Sequence, residues 1–244
     1  MARKLVLLGA VALVMFSTLA CSFAGWGAAR GNGSVTYETR EIRGVDSVQL
    51  TGSGKLYIKF GEQEKLVIEA EENLLEHIES EVVNGELVIG PKAAIDLRPR
   101  REINYHLTVK ELKGAKITGS GDIYAPALDA DDLFISIYGS GDVEIEEVVG
   151  QRLDAVIAGS GDIVIEKGYV DTQDIRITGS GSYRAEEIES VEADVFIGGS
   201  GSARLQAEEY LNVRITGSGN VRYGGDPKID TWVAGSGSVQ RSGR

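Results

Sequence analysis

Ala115-Lys-Ile-Thr-Gly-Ser-Gly-Asp-Ile123 is followed by Ile135-Ser-Ile-Tyr-Gly-Ser-Gly-Asp-Val143, Ala155-Val-Ile-Ala-Gly-Ser-Gly-Asp-Ile163, Ile175-Arg-Ile-Thr-Gly-Ser-Gly-Ser-Tyr183, Val195-Phe-Ile-Gly-Gly-Ser-Gly-Ser-Ala203 and Val213-Arg-Ile-Thr-Gly-Ser-Gly-Asn-Val221. In all, Gly-Ser-Gly occurs eight times, centred on Ser53, Ser120, Ser140, Ser160, Ser180, Ser200, Ser218 and Ser236, at spacings of 67, 20, 20, 20, 20, 18 and 18 residues. A fixed period of this size belongs to repeat architectures. Within each repeat the apolar residues and glycines share one parity, while Thr, Ser, Asp and Arg mostly take the other. That period of two marks a strand with one buried face. The sequence therefore predicts an all-β protein, a parallel β-solenoid of coils about 20 residues long.

A single coil holds only a handful of inward aliphatic residues, for example Ile175, Ile177, Ala185, Ile188 and Val191. Such a unit cannot bury its apolar face alone, so the coils must stack on one another. Two backbone paths fit the motif itself. The strand can run straight through with both glycines inside and the serine outside, or the glycines can use positive φ to make a bend.

The segment from Val35 to Gly114 carries only the first Gly-Ser-Gly, and the rest of it reads as less regular N-terminal coils with a cap. Val48, Leu50, Gly52, Gly54, Leu56, Ile58 and Phe60 share one parity. Leu74, Leu75 and Ile78 lie at helical spacing within 71–79, a short amphipathic turn suited to covering an open end. Asn84-Gly85 between Val82 and Leu87 signals a hairpin with a type I′ turn. Pro99 and the neighbouring Arg98, Arg100 and Arg101 mark a loop before a strand at 103–109.

Ahead of this lies a different kind of sequence. Arg3 and Lys4 precede an apolar run from Leu5 to Phe16, and Ser17-Thr18-Leu19-Ala20-Cys21 follows, which is the layout of a secretory signal over residues 1–20. Residues 21–34 are small and glycine-rich and read as a flexible tether, leaving 35–244 for the solenoid domain. Cys21 is the only cysteine, so no internal disulfide is possible. Its position after Leu19-Ala20 resembles the lipobox of bacterial lipoproteins, which makes Cys21 a lipidation site; cleavage after Ala20 or Ala24 of a secreted protein is the other reading. In the lipobox pattern a leucine stands three places before the cysteine, where this chain has Thr18.

The formal charge is −12, and loss of Arg3 and Lys4 with the signal makes it −14. So acidic a chain, without a basic stripe interleaved with aromatics, argues against nucleic acid as a partner. Chemistry is sparse. His77 and His106 are the only histidines, neither at ligand spacing from a second histidine or the cysteine. None of the eight serines sits in a nucleophile elbow, and no Gly-Ser-Gly continues as a phosphate-binding loop. No catalytic residue and no cofactor is expected. Asp122, Asp142 and Asp162 follow the second glycine in three consecutive coils and should form an outward column, whose stacked carboxylates could hold Ca²⁺. The competing reading is that they accept hydrogen bonds from nearby turn amides.

Leu50-Thr-Gly-Ser-Gly54, Glu69-Ala-Glu-Glu-Asn-Leu-Leu75, Val83-Asn-Gly-Glu-Leu-Val-Ile89, Ile103-Asn-Tyr-His-Leu-Thr-Val109 and the repeated Gly-Ser-Gly-Asp-Ile together resemble the putative auto-transporter adhesin head GIN domain family, from about Val45 to the C-terminus. The resemblance implies an exported protein, often lipoprotein-anchored, with a β-solenoid fold, and supplies no catalytic residues. The expected function is that of a non-catalytic cell-envelope protein, a surface binding or adhesion module with a protein or glycan ligand, held to the membrane through a lipid on Cys21. It would face the outside or the periplasm, or be secreted. The alternatives are a polysaccharide-active enzyme using carboxylates on the solenoid face, and a purely structural envelope protein.

Overall fold

The computed structural model describes residues 27–242. The signal sequence and Cys21 lie outside them. Gly52, Gly119, Gly139, Gly159, Gly179, Gly199, Gly217 and Gly235, the first glycines of the eight motifs, are successive partners in parallel register. Ser47–Gly52 pairs directly with Gly114–Gly119, so the 67-residue spacing is an insertion between adjacent layers of one stack. The fold is the predicted parallel β-solenoid.

Both backbone paths hold in part. Gly159 has φ +144°, a conformation open only to glycine, and turns the chain there. Yet the inward parity survives the turn, with Ala155, Ile157, Gly161 and Ile163 buried and Ser160 exposed. The amide of each motif serine after the first donates to the first glycine's carbonyl one layer back, as Ser160 N does to Gly139 O at 2.9 Å. The first copy shows where parity fails: Leu56 and Ile58 are buried, but Phe60 at the strand's end is exposed.

Each full turn has three stretches. Pairing between the strands Val143–Gly159 and Asp162–Gly179 skips Glu146 and Gln151, which mark two corners, and the Gly-Ser-Gly makes the third. The shortening from 20 to 18 residues falls in the middle stretch, because Ala185 pairs with Leu205 but Glu192 with Tyr210. Ile175, Ile177, Ala185 and Ile188 are buried as expected, whereas Val191 is only half-buried. It sits at a corner, unpaired, and Ser190 points inward in its place. Ser190 Oγ donates to Gln206 O at 2.6 Å and accepts from Gln173 Nε2 at 2.9 Å, and Tyr183 OH donates to Gln173 Oε1 at 2.6 Å. This buried network satisfies its own donors and acceptors, which is the condition for polar groups in a core; burial also pushes the Tyr183 phenol pKa up.

The N-terminal end is closed differently from the sequence expectation. The helix is only Glu72–Leu75, and Ile78 belongs to the strand Ile78–Val83. Antiparallel strands extend the faces instead: Lys65–Glu71 between Val35–Glu41 and Asn104–Val109 on one, and Ile78–Val83 beside Glu86–Pro91 on the other. Asn84 and Gly85 have φ +52° and +87°, as the predicted type I′ hairpin requires. Residues 27–34, read as tether, are structured: Gly27–Arg30 pairs in parallel with Ile95–Arg98.

Glu71 ties the end of that segment to the loop at Arg100 and Arg101. Fully buried, its carboxylate accepts from the amides of Gly33 and Arg101 and from that of Arg100 at 2.7 Å. Burial by itself would raise its pKa, but these amides outweigh it and hold the carboxyl below the usual glutamate range. A depressed folded-state pKa gives stability that is present above the unfolded value, about 4.3, and disappears as pH falls through the folded one. Glu71→Gln is expected to lose about 2 kcal/mol at pH 7. In urea titrations from pH 7 to 3 its deficit against the wild type should shrink as pH drops below that value; a constant deficit would show that the charge is not what matters.

Candidate binding surface

The strict register turns every outward position into a column running along the solenoid. Counting from each motif serine, the second residue after it gives Lys55, Asp122, Asp142, Asp162, Ser182, Ser202, Asn220 and Ser238. The three aspartates are brought together as predicted, and each spends an oxygen on the next layer. Asp122 Oδ1 accepts from Asp142 N at 3.1 Å, Asp142 Oδ1 from Asp162 N at 2.8 Å, and Asp162 Oδ1 from Ser182 N at 2.9 Å. That is the amide-capping arrangement, and among the described residues no group of three His, Cys, Asp or Glu side chains is placed to hold a metal ion.

His77 follows the short helix, its amide donating to Leu74 O at 2.9 Å. His106 stacks on Tyr57 with ring centroids 5.6 Å apart, and Tyr57 on Tyr124 at 5.2 Å, forming an aromatic ladder over the N-terminal layers. Its Nε2 lies 3.6 Å from Glu69.

Two further columns escaped the reading of the sequence. The fourth residue before the serine runs Ser136, Val156, Arg176, Phe196, Arg214 and Trp232 on one outward face. Two residues before it, Asp154, Asp174, Asp194, Asn212 and Asp230 form a parallel row. Arg176 pairs with Asp174 at 3.1 Å and Asn212 donates to Asp194, so these groups are already set in place. Phe196 is 39% and Trp232 56% exposed, and a hollow of about 310 Å³ lies among Asp174, Arg176, Asp194, Phe196, Asn212 and Arg214. The signal was present, since every repeat aligned on its serine shows the position. It carries meaning only once the layers are known to stack without slip.

A capped parallel β-solenoid that displays flat polar and aromatic ladders, with its glycines spent on the backbone, defines a scaffold for surfaces rather than for an enclosed pocket. The chain belongs to the family described as "Putative auto-transporter adhesin, head GIN domain", whose model matches residues 45–227. Among solved structures it is similar to a "putative adhesin" from Bacteroides fragilis, at 20% identity and a TM-score of 0.82 over 88% of this chain and 100% of that one. One from Parabacteroides merdae gives 23% and 0.70 over 89% and 100%. A "putative lipid binding protein" from Parabacteroides distasonis gives 28% and 0.67 over 88% and 100%. No curated protein matches the chain.

Proposed function

We propose that the chain is an exported, non-catalytic binding or adhesion module, tethered to the envelope through Cys21, and that the face bearing Phe196 and Trp232 meets its protein or glycan ligand. The observation that carries this reading is the pair of exposed aromatics on one column, two layers apart, with Arg214 between them and Arg176 one layer before. Exposed aromatic rings bordered by arginine are the composition of binding surfaces rather than of inert ones. Two layers amount to about 10 Å, a spacing at which two rings can grip one extended ligand. The adhesin names carried by the family and by its structural neighbours agree with export and surface display.

The test has two parts. Protease added to intact cells that produce the protein should remove the solenoid, and Cys21→Ala should release it into the medium; protection until lysis would rule out surface adhesion. On a glycan array and in crosslinking to surface proteins, Phe196→Ala/Trp232→Ala should weaken whatever signal the wild type gives by at least about tenfold, the loss of roughly 1.4 kcal/mol or more.

A further inference from the structure

We propose a second, independent site: an anion-binding strip formed by Arg184, Arg204 and Arg222 that takes a carboxylated or sulfated polysaccharide lying along the solenoid. These arginines occupy the fourth position after the serine in three consecutive layers, paired in register, Arg184 with Arg204 and Arg204 with Arg222. Like charges placed directly opposite one another on a sheet are destabilising, and the layers are only about 4.8 Å apart. The neighbouring acids relieve this unevenly. Arg184 is bound by Asp162, Arg204 has Glu186 at a long 3.7 Å, and Arg222 has no acidic partner among the described residues. Cationic charge thus accumulates toward Arg222 on a protein whose net charge is −12.

The surroundings of the strip change at the same layer. From Asp122 to Asp162 the adjacent column is acidic, and from Ser182 onward it is Ser182, Ser202, Asn220 and Ser238. A shallow groove of about 360 Å³ runs over Ser202, Arg204, Asn220, Arg222, Ser238 and Gln240. It therefore offers guanidinium forks for anions beside hydroxyl and amide groups for neutral oxygens. That alternation fits an acidic sugar chain, in which charged groups are separated by hydroxyls. It fits a single-stranded nucleic acid poorly, because no aromatic ring lines the groove on which bases could stack. It also lacks the apolar collar that a lipid surface would require. Guanidinium pairs with carboxylate or sulfate through two parallel hydrogen bonds, and Arg184 to Arg222 spans about 10 Å, so a chain charged on every sugar or on alternate sugars can engage the ladder.

The test is calorimetric titration of the full chain with polygalacturonate, dextran sulfate and neutral dextran at low salt. Binding of one or both polyanions, weakened by salt, with no binding of dextran, is expected; which polyanion binds identifies the anion as carboxylate or sulfate. Arg204→Gln/Arg222→Gln should reduce the affinity at least tenfold, and Glu186→Gln, which frees Arg204, should raise it, while both variants keep the wild-type circular dichroism and melting temperature within a few degrees. Failure of both polyanions to bind, unchanged affinity in the double variant, or equal binding of oligo(dT) at the same salt would overturn the proposal. The Phe196/Trp232 face is untouched by these variants, so either reading can fail alone.

Discussion

Gly159→Ala is expected to cost the protein about 3–5 kcal/mol, a large share of the stability of a domain that totals of order 5–15 kcal/mol. Two causes add. At φ +144° a side chain is strained wherever it points. A Cβ at this position would also be driven into the carbonyl oxygen of Gly139, one layer back. That oxygen cannot retreat, because it accepts from Ser160 N at 2.9 Å and both strands are held along their length by the ladder. Ser160→Ala, next door, removes an exposed hydroxyl and should stay within about 0.5 kcal/mol of wild type. Urea unfolding of the pair reads the difference directly. A Gly159→Ala midpoint close to that of Ser160→Ala would mean that the glycine column is not a structural requirement.

Ile177→Asp should be at least as damaging. Ile177 is fully buried, and its Cγ2 fills the space that a Cβ on Gly201 would need in the following layer. A carboxylate there has no partner in the core; protonated or not, it leaves polar groups unpaired among Ile157, Ile197 and their neighbours. Because each layer is the template for the next, the damage should spread, and the expected result is cooperative loss of the folded state. The comparison is Ser182→Asp, half-buried on the outer face. There a new carboxylate would extend the aspartate column by one layer, in register with Asp162 and near Arg184, for a change within about 1 kcal/mol. Thermal melts should separate the two variants widely. Equal melting temperatures would overturn the assignment of inside and outside.

Period and parity made the solenoid legible before any coordinates, because a buried column every second residue and a motif every turn are properties of the chain itself. Sequence did not say which layers touch. The insertion between Gly54 and Gly114 hides that Ser47–Gly52 and Gly114–Gly119 are neighbours. Corner positions were also opaque: Val191 has the side chain of a core residue, but the unpaired corner turns it half outward and admits Ser190. At 27–34, small residues resemble a linker until distant partners order them: the strand Ile95–Arg98, the Asn73 side chain and, at Gly33, the carboxylate of Glu71. The aspartate column could be anticipated because its residues are identical from layer to layer. The Arg176–Phe196–Arg214–Trp232 column could not, since its chemistry emerges only when unlike residues are superposed by the register; Arg184, Arg204 and Arg222 are as alike as the aspartates, but they lie one residue beyond the stretch that repeats around each serine.

The glycine-over-glycine column also makes the molecule modular. Excising residues 160–179 would join Gly159 to Ser180 and restore an unbroken Gly-Ser-Gly with Gly181. Gly159 would then pass its partnership from Gly179 to Gly199, an identical contact. Reach is therefore quantised in steps of about 4.8 Å, and the distance by which the recognition faces stand off from the capped end is a number of layers that can be gained or lost by duplication without altering either end.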